Sequence, residues 1–197
     1  MRFYQPRSAA PGGGGLESHG ALYQAVSLQD LQRRGKHLLA DIADASTQPA
    51  DWLLAQAAER TDFILDRLDL RDFDLPFFAE ASSNLHVPRV DPNVLAWQDT
   101  IRPYDGYIFV VAEYNHSITG ALKNALDQAY VEWVRKPFSA LGYGSTGGAR
   151  AVEHLRGISV ELQMVPSKFG AHIGGSDLFK VHPLAGNAPI SEIGRSH

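Results

Sequence analysis

The sequence predicts an α/β protein, a parallel sheet with helices on both faces. Residues 107–111, Tyr-Ile-Phe-Val-Val, form an unbroken apolar, β-rich run of the kind found in strands buried on both sides. Apolar runs at 63–69, 138–143 and 164–166 alternate with helix-length segments at 50–60, 93–101, 121–133 and 149–162. Strands and helices in that alternation pair in parallel through crossovers. In such sheets ligands collect at the carboxyl ends of the strands, which points to the loops after Val111 and Tyr143.

The elements follow in chain order. Residues 1–26 read as a disordered or irregular tail, with Pro6, Pro11 and the run Gly12–Gly15. From Ser27, an N-cap candidate, Leu28, Leu31, Leu38, Leu39 and Ile42 recur at roughly helical spacing. The same stretch has a rival reading, a short strand over 36–44, then the turn Ser46-Thr47-Gln48-Pro49 and a helix from Ala50. Local periodicity prefers the helix. Asp74-Leu75-Pro76 breaks the strand at 63–69, and a polar, Pro-containing loop covers 82–94. Beyond Phe169 the chain is Gly- and Pro-rich and predicts no final helix. The domain is therefore expected to span 27–180, with 181–197 an irregular tail.

Bulk composition narrows the function classes. The 197 residues suffice for one domain with a substantial core. A net charge of −4 brings no excess of basic residues to attract nucleic acid or an anionic membrane. With no cysteine there is no disulfide, thiolate metal site, iron–sulfur cluster or cysteine nucleophile. No apolar run reaches membrane-spanning length and no signal-peptide core is evident, so the expected location is cytoplasmic.

The first candidate loop runs from Ala112 through Glu113, Tyr114, Asn115, His116, Ser117, Ile118 and Thr119 to Gly120. Tyr114 offers an aromatic face, Asn115 a donor and an acceptor, and the backbone its amides, which together suit a flat ring. An ordinary strand-to-helix connection capped by Ser117 or Thr119 is equally consistent. The second loop, Gly142 to Arg150, carries glycines at 142, 144, 147 and 148 beside Ser145. Such a loop lets backbone approach a ligand, or else serves close helix–sheet packing. His37, His86, His172, His182 and His197 show no metal-ligand spacing. Glu153, His154 and Arg156 read as surface positions of a helix, and Trp52 and Trp133 as core or interface anchors.

Taken in order, the motifs are more specific than either loop. Asp-Gly-Tyr-Ile-Phe-Val-Val-Ala-Glu-Tyr-Asn-His-Ser is followed by Leu-Lys-Asn-Ala-Leu-Asp, Lys-Pro, Gly-Tyr-Gly-x-x-Gly-Gly-x-Arg-Ala and His-Leu-Arg. This series, with Asp69-Leu70 and Phe73-Asp74-Leu75-Pro76 before it, resembles the NAD(P)H-dependent FMN reductase family over about residues 50–168. The resemblance implies a flavodoxin-like three-layer sandwich with strand order 2-1-3-4-5. It also implies bound FMN, NADPH or NADH as co-substrate, a small-molecule electron acceptor (a quinone, azo compound, metal oxyanion or flavin), and a homodimer or homotetramer. By position, Glu113, Tyr114, Asn115 and Ser117 match the loop at the isoalloxazine edge, and Gly144, Ser145, Gly147 and Gly148 the second flavin-side loop. No catalytic acid, base or metal ligand is implied. A flavodoxin-like carrier module, or a degenerate member with impaired FMN binding, is the alternative reading.

Two departures stand out. In the first loop Ala112 replaces a proline usual in the family, which often has another near Thr119. More seriously, the phosphate loop is reduced to Ala45-Ser46-Thr47-Gln48, with alanine for glycine and glutamine for arginine. The implied fold nevertheless needs an interior first strand. Residues 38–43 are accordingly expected to be extended between 63–69 and 107–111, with Ser46 and Thr47 facing the FMN phosphate.

Overall fold

The structure is a computed structural model and describes residues 36–41, 47–182, 184–190 and 193. Strand β1 (Lys36–Asp41) has a parallel neighbour on each side. It pairs with β2 (Ile64–Asp69) from Lys36↔Ile64 to Asp41↔Asp69, and with β3 (Gly106–Ala112) from His37↔Gly106 to Ala40↔Phe109. The helical spacing of 28–42 is thus overruled over 36–41. Orphaned backbone groups on the two neighbouring strands would each cost about 1–3 kcal/mol, against tenths of a kcal/mol per residue in helix propensity. Residues 42 and 43 and the cap Ser27 lie outside the described residues.

β3 continues into β4 (Pro137–Tyr143), in register from Tyr107↔Phe138 to Ala112↔Tyr143. The sheet therefore runs β2-β1-β3-β4. The far edge of β4 is shared by two short strands, β5 (Val165–Pro166) beside its start and β6 (Ala171–Ile173) beside its end. Between them the chain is tied by Ser139 Oγ donating to the Phe169 carbonyl at 3.0 Å.

All seven residues of β3 are buried, and they alternate between two cores. Tyr107, Phe109 and Val111 join Trp97, Leu126, Trp133 and Leu155 on the face covered by α2 (Pro92–Ile101), α3 (Gly120–Asp127) and α4 (Ala149–Glu161). Ile108, Val110 and Ala112 join Ala50, Leu53, Tyr143, Ile173 and Val181 on the other face, under α1 (Thr47–Ala58) and α5 (Gly175–Val181). Three layers result, with β3 and β4 at their centre.

Several element ends differ from expectation. α1 already begins at Thr47, because Pro49 falls in its first turn, where a missing N–H loses no intrahelical bond. α3 stops at Asp127 rather than at 133. Its last carbonyls are taken by buried side chains: Trp97 Nε1 donates to Ala125 at 2.9 Å, Trp133 Nε1 to Leu126 at 3.1 Å and Gln98 Nε2 to Gln128 at 2.6 Å. The absence of a final helix is corrected by α5. This seven-residue helix has only Gly174 at its N-cap, with no side-chain cap bond, so it carries little local signal. Val181 and Leu178 hold it on the core. The irregular stretch beyond it also packs, since Ile190 is buried in the same cluster.

Candidate functional site

β3 ends in a tight turn. Tyr114 and Ser117 exchange both backbone hydrogen bonds, at 3.0 and 2.9 Å, leaving Asn115 and His116 as the two central residues. Both are left-handed, with φ of 48° and 66°. Asparagine takes that conformation readily and histidine less so, and this pair of positive φ values is what a two-residue turn of the strand's own twist requires. The turn lifts Tyr114, Asn115 and His116 into solvent, and Tyr114 is 63% exposed. Buried Ile118 then anchors the chain, and the Thr119 hydroxyl caps α3 by accepting from Leu122 N–H at 3.3 Å. Ser117 is not the cap. Its hydroxyl lies 2.9 Å from His154 Nδ1 on α4, which gives His154 a structural tie.

Glu113 sits under the turn instead of facing out. Its side chain is 5% exposed. The carboxylate accepts from Arg150 Nε at 2.5 Å and from Arg150 N–H at 3.1 Å, with the Thr146 hydroxyl at 3.3 Å. Gly148, the N-cap of α4, has no side chain to bond the first N–H groups. Glu113 supplies that cap from 37 residues away and places its charge at the positive end of the helix. Burial pushes the Glu113 carboxyl up, but the Arg150 guanidinium and the backbone N–H groups of Arg150 and Ala151 outweigh it, so the group titrates below its ordinary value of 4.5. Arg150 reaches further: Nη1 donates to His116 Nε2 at 2.8 Å and Nη2 to the Thr146 hydroxyl at 3.1 Å.

The glycines of the second loop are tightly packed against their neighbours. A Cβ on Gly148 (φ 69°) would lie 2.6 Å from Tyr143 N, and one on Gly142 2.8 Å from the Gly147 carbonyl. Gly147 (φ 73°) packs against His172, whose Nδ1 donates to the Gly147 carbonyl at 2.8 Å. Gly144 N–H donates to Ile173 at 3.2 Å, and Gly175 N–H to Ser145 at 3.1 Å, so β6 and the start of α5 brace the loop. Ser145 and Thr146 remain exposed at its tip.

The two loops are thus joined at the carboxyl ends of β3 and β4. Of the residues singled out in the sequence, Tyr114, Asn115 and Ser145 offer side chains to solvent there. Ser117 and Glu113 are engaged with α4, and Gly147 and Gly148 are buried. Ser46 lies outside the described residues, and of Thr47 the structure gives only that it opens α1. Gln48, where the family's arginine would stand, donates from Nε2 to Asn187 Oδ1 at 3.0 Å. It also shares a small cavity with Tyr143, Ile173 and His182, which sets the start of α1 beside the end of β4. Arg150, His116 and Thr146 were not singled out as site residues. Arg150 stands in the quoted glycine motif, but nothing local in the sequence links it to Glu113.

Fold and loops together define a flavodoxin-like α/β protein with an exposed aromatic and amide edge at its strand ends. Residues 45–173 match the NADPH-dependent FMN reductase family, and the chain belongs to it. It is 35% identical over 129 residues to an NAD(P)H-dependent FMN reductase of Nectria, a match covering 60% of this chain and 63% of that protein. It is 36% identical over 104 residues to a quinone reductase of Escherichia coli, covering 47% of this chain and 53% of that one. The chain thus spans between half and two thirds of the length of these curated relatives. In fold it is similar to FerB, an NAD(P)H:(acceptor) oxidoreductase of Paracoccus denitrificans, with a TM-score of 0.53 and 22% identity over 68% of this chain and 74% of that one.

Proposed function

We propose that this chain is an FMN-dependent oxidoreductase that passes hydride from NADPH or NADH to a small-molecule acceptor. The observation that carries the reading is the clamped pair of loops, which leaves Tyr114, Asn115 and Ser145 exposed together at the carboxyl ends of β3 and β4. That donor set suits a flavin ring, with an aromatic face, an amide that both donates and accepts, and a hydroxyl. The phosphate end would fall at the start of α1, around Ser46 and Thr47, where a helix N-terminus favours an anion. FMN, when bound, supplies the two-electron chemistry between nicotinamide and acceptor. The chain's own task is to bind and orient. Tyr114 and Asn115 would flank the ring edge, Ser145 would bond it from the second loop, and α4 keeps both loops in place through Glu113 and Arg150.

Membership of the family and the likeness to a quinone reductase support a quinone, azo compound, metal oxyanion or flavin as acceptor. A homodimer or homotetramer and a cytoplasmic location belong to the same reading. Among the described residues no helix is long and apolar enough to cross a membrane. The visible spectrum of the purified chain before and after adding FMN tests the cofactor, and NAD(P)H consumption with a quinone tests turnover. A protein that binds FMN but oxidises no nicotinamide would be a carrier. One that binds no flavin would be a non-catalytic member.

A further inference from the structure

We propose that Arg150 is the positioning residue that sets the spacing between the two flavin-side loops. The inference rests on the flavin reading above. Arg150 stands on the first turn of α4 and touches three residues of those loops. Its Nε and backbone N–H bond Glu113 beneath the first loop, Nη1 bonds His116 at the tip of the same loop, and Nη2 bonds Thr146 at the tip of the second. Thr146 closes the circle by its own contact with Glu113 at 3.3 Å.

Two features make the guanidinium the element that matters. The first is the turn itself. His116 holds φ 66°, a conformation that costs a non-glycine residue energy and persists only where its surroundings impose it. Arg150 Nη1 holds its ring by a hydrogen bond of 2.8 Å. Because the arginine can only donate, His116 Nε2 must accept, which puts the imidazole proton on Nδ1. The second is reach. A planar fork bonds a carboxylate, an imidazole and a hydroxyl at once, whereas a lysine ammonium on the same stem acts as a single point charge. Tyr114 and Asn115 precede His116 directly, so the placement of the proposed ring edge follows the arginine. The Arg150 side chain is 42% exposed and the Glu113 side chain it holds only 5%, so the arginine spans from the buried anchor to the solvent-facing tips.

The test compares Arg150→Lys and Arg150→Ala with the unaltered protein by two kinds of measurement. In the apoprotein, 15N shifts of the His116 ring report its tautomer. The Nδ1–H form is expected in the unaltered chain, and a mixture in both variants. With FMN added, we expect Arg150→Lys to melt close to the unaltered protein, since its charge still meets Glu113. Its bound-flavin spectrum should nonetheless shift and its kcat fall roughly tenfold with KM for the nicotinamide little changed, the signature of lost orientation rather than lost binding. Arg150→Ala should lose melting temperature as well. Unchanged His116 tautomer, flavin spectrum and kcat in a folded Arg150→Lys protein would overturn the proposal while leaving the flavin reading intact. Failure of the unaltered chain to bind FMN would overturn the flavin reading and this inference with it. The tautomer measurement would then report only whether Arg150 fixes the turn.

Discussion

Glu113 caps helix α4 through Arg150, a residue 37 positions further along the chain. The end of β3 and the start of α4 are thereby locked by one carboxylate that accepts from a guanidinium and from backbone N–H groups at once. The N-terminus of α4 is already filled from within, so an anionic ligand has no claim on it. The first turn of α1 also lies beside the strand ends, where Gln48 and Pro49 share a cavity with Tyr143 and Ile173.

Glu113→Ala should therefore cost about 1.5–3 kcal/mol, the range for losing a hydrogen-bonded charge partner. Glu113→Gln should cost less, about 1 kcal/mol, because an amide oxygen still accepts from the helix N–H groups. Urea melts of the three proteins check the order. Equal stability would show that the network contributes nothing to folding.

The same carboxylate gives a pH signature. Its folded pKa lies below the ordinary 4.5, so its contribution is complete above the unfolded value and is lost as the pH falls through the folded one. The stability gap between the unaltered protein and Glu113→Gln should be flat above about pH 5.5 and shrink below about pH 4.5. Denaturant midpoints at several pH values measure it. A gap that widens in acid would contradict the assigned sign.

Two glycines should respond in opposite directions to the same change. At Gly148 the backbone is left-handed and a Cβ would come within 2.6 Å of Tyr143 N, so Gly148→Ala should destabilise by about 2 kcal/mol or more. Gly157 lies inside α4 with nothing within 4 Å of its would-be Cβ, so Gly157→Ala should stabilise by about 0.5–1 kcal/mol. Thermal melts of both variants suffice, and a gain at Gly148 would refute the packing account.

How much of this was legible beforehand varies by element. The burial of β3 was written in its unbroken apolar run. β1 was not, because its spacing resembles a helix and only the sheet's need for an interior partner decides the matter. The end of α3 depended on indole and amide donors from Trp97, Gln98 and Trp133, which no local pattern encodes. The outward edge of Tyr114 and Asn115 followed from the motif, yet Glu113 in the same motif faces inward. Its partner lies on another element, and single-sequence periodicity does not report such pairings.

For Asn115 the positive φ of 48° changes the useful substitution. Alanine would add about 1 kcal/mol of backbone strain to any loss of ligand contact, whereas glycine removes the amide without that strain. Asn115→Gly should keep its melting temperature and weaken flavin binding or slow flavin reduction. A large loss of stability with unchanged flavin behaviour would assign Asn115 to structure alone.

The phosphate end supplies the last prediction. Gln48 stands where the family's arginine would be, and its amide is already bound to Asn187. Between a neutral amide and a guanidinium the difference at a phosphate is about one charge-assisted hydrogen bond, roughly 1.5–3 kcal/mol. FMN should therefore bind more weakly than in relatives that keep the arginine, with a modest advantage over riboflavin. Gln48→Arg should raise that advantage by roughly tenfold or more, since 1.4 kcal/mol is a factor of ten. Asn187→Ala frees the amide without adding charge and should raise it far less. Titrating the apoprotein and both variants with FMN and with riboflavin separates these cases. A riboflavin affinity that rises in step with that of FMN would mean the change acts on the ring end, and that the start of α1 does not hold the phosphate.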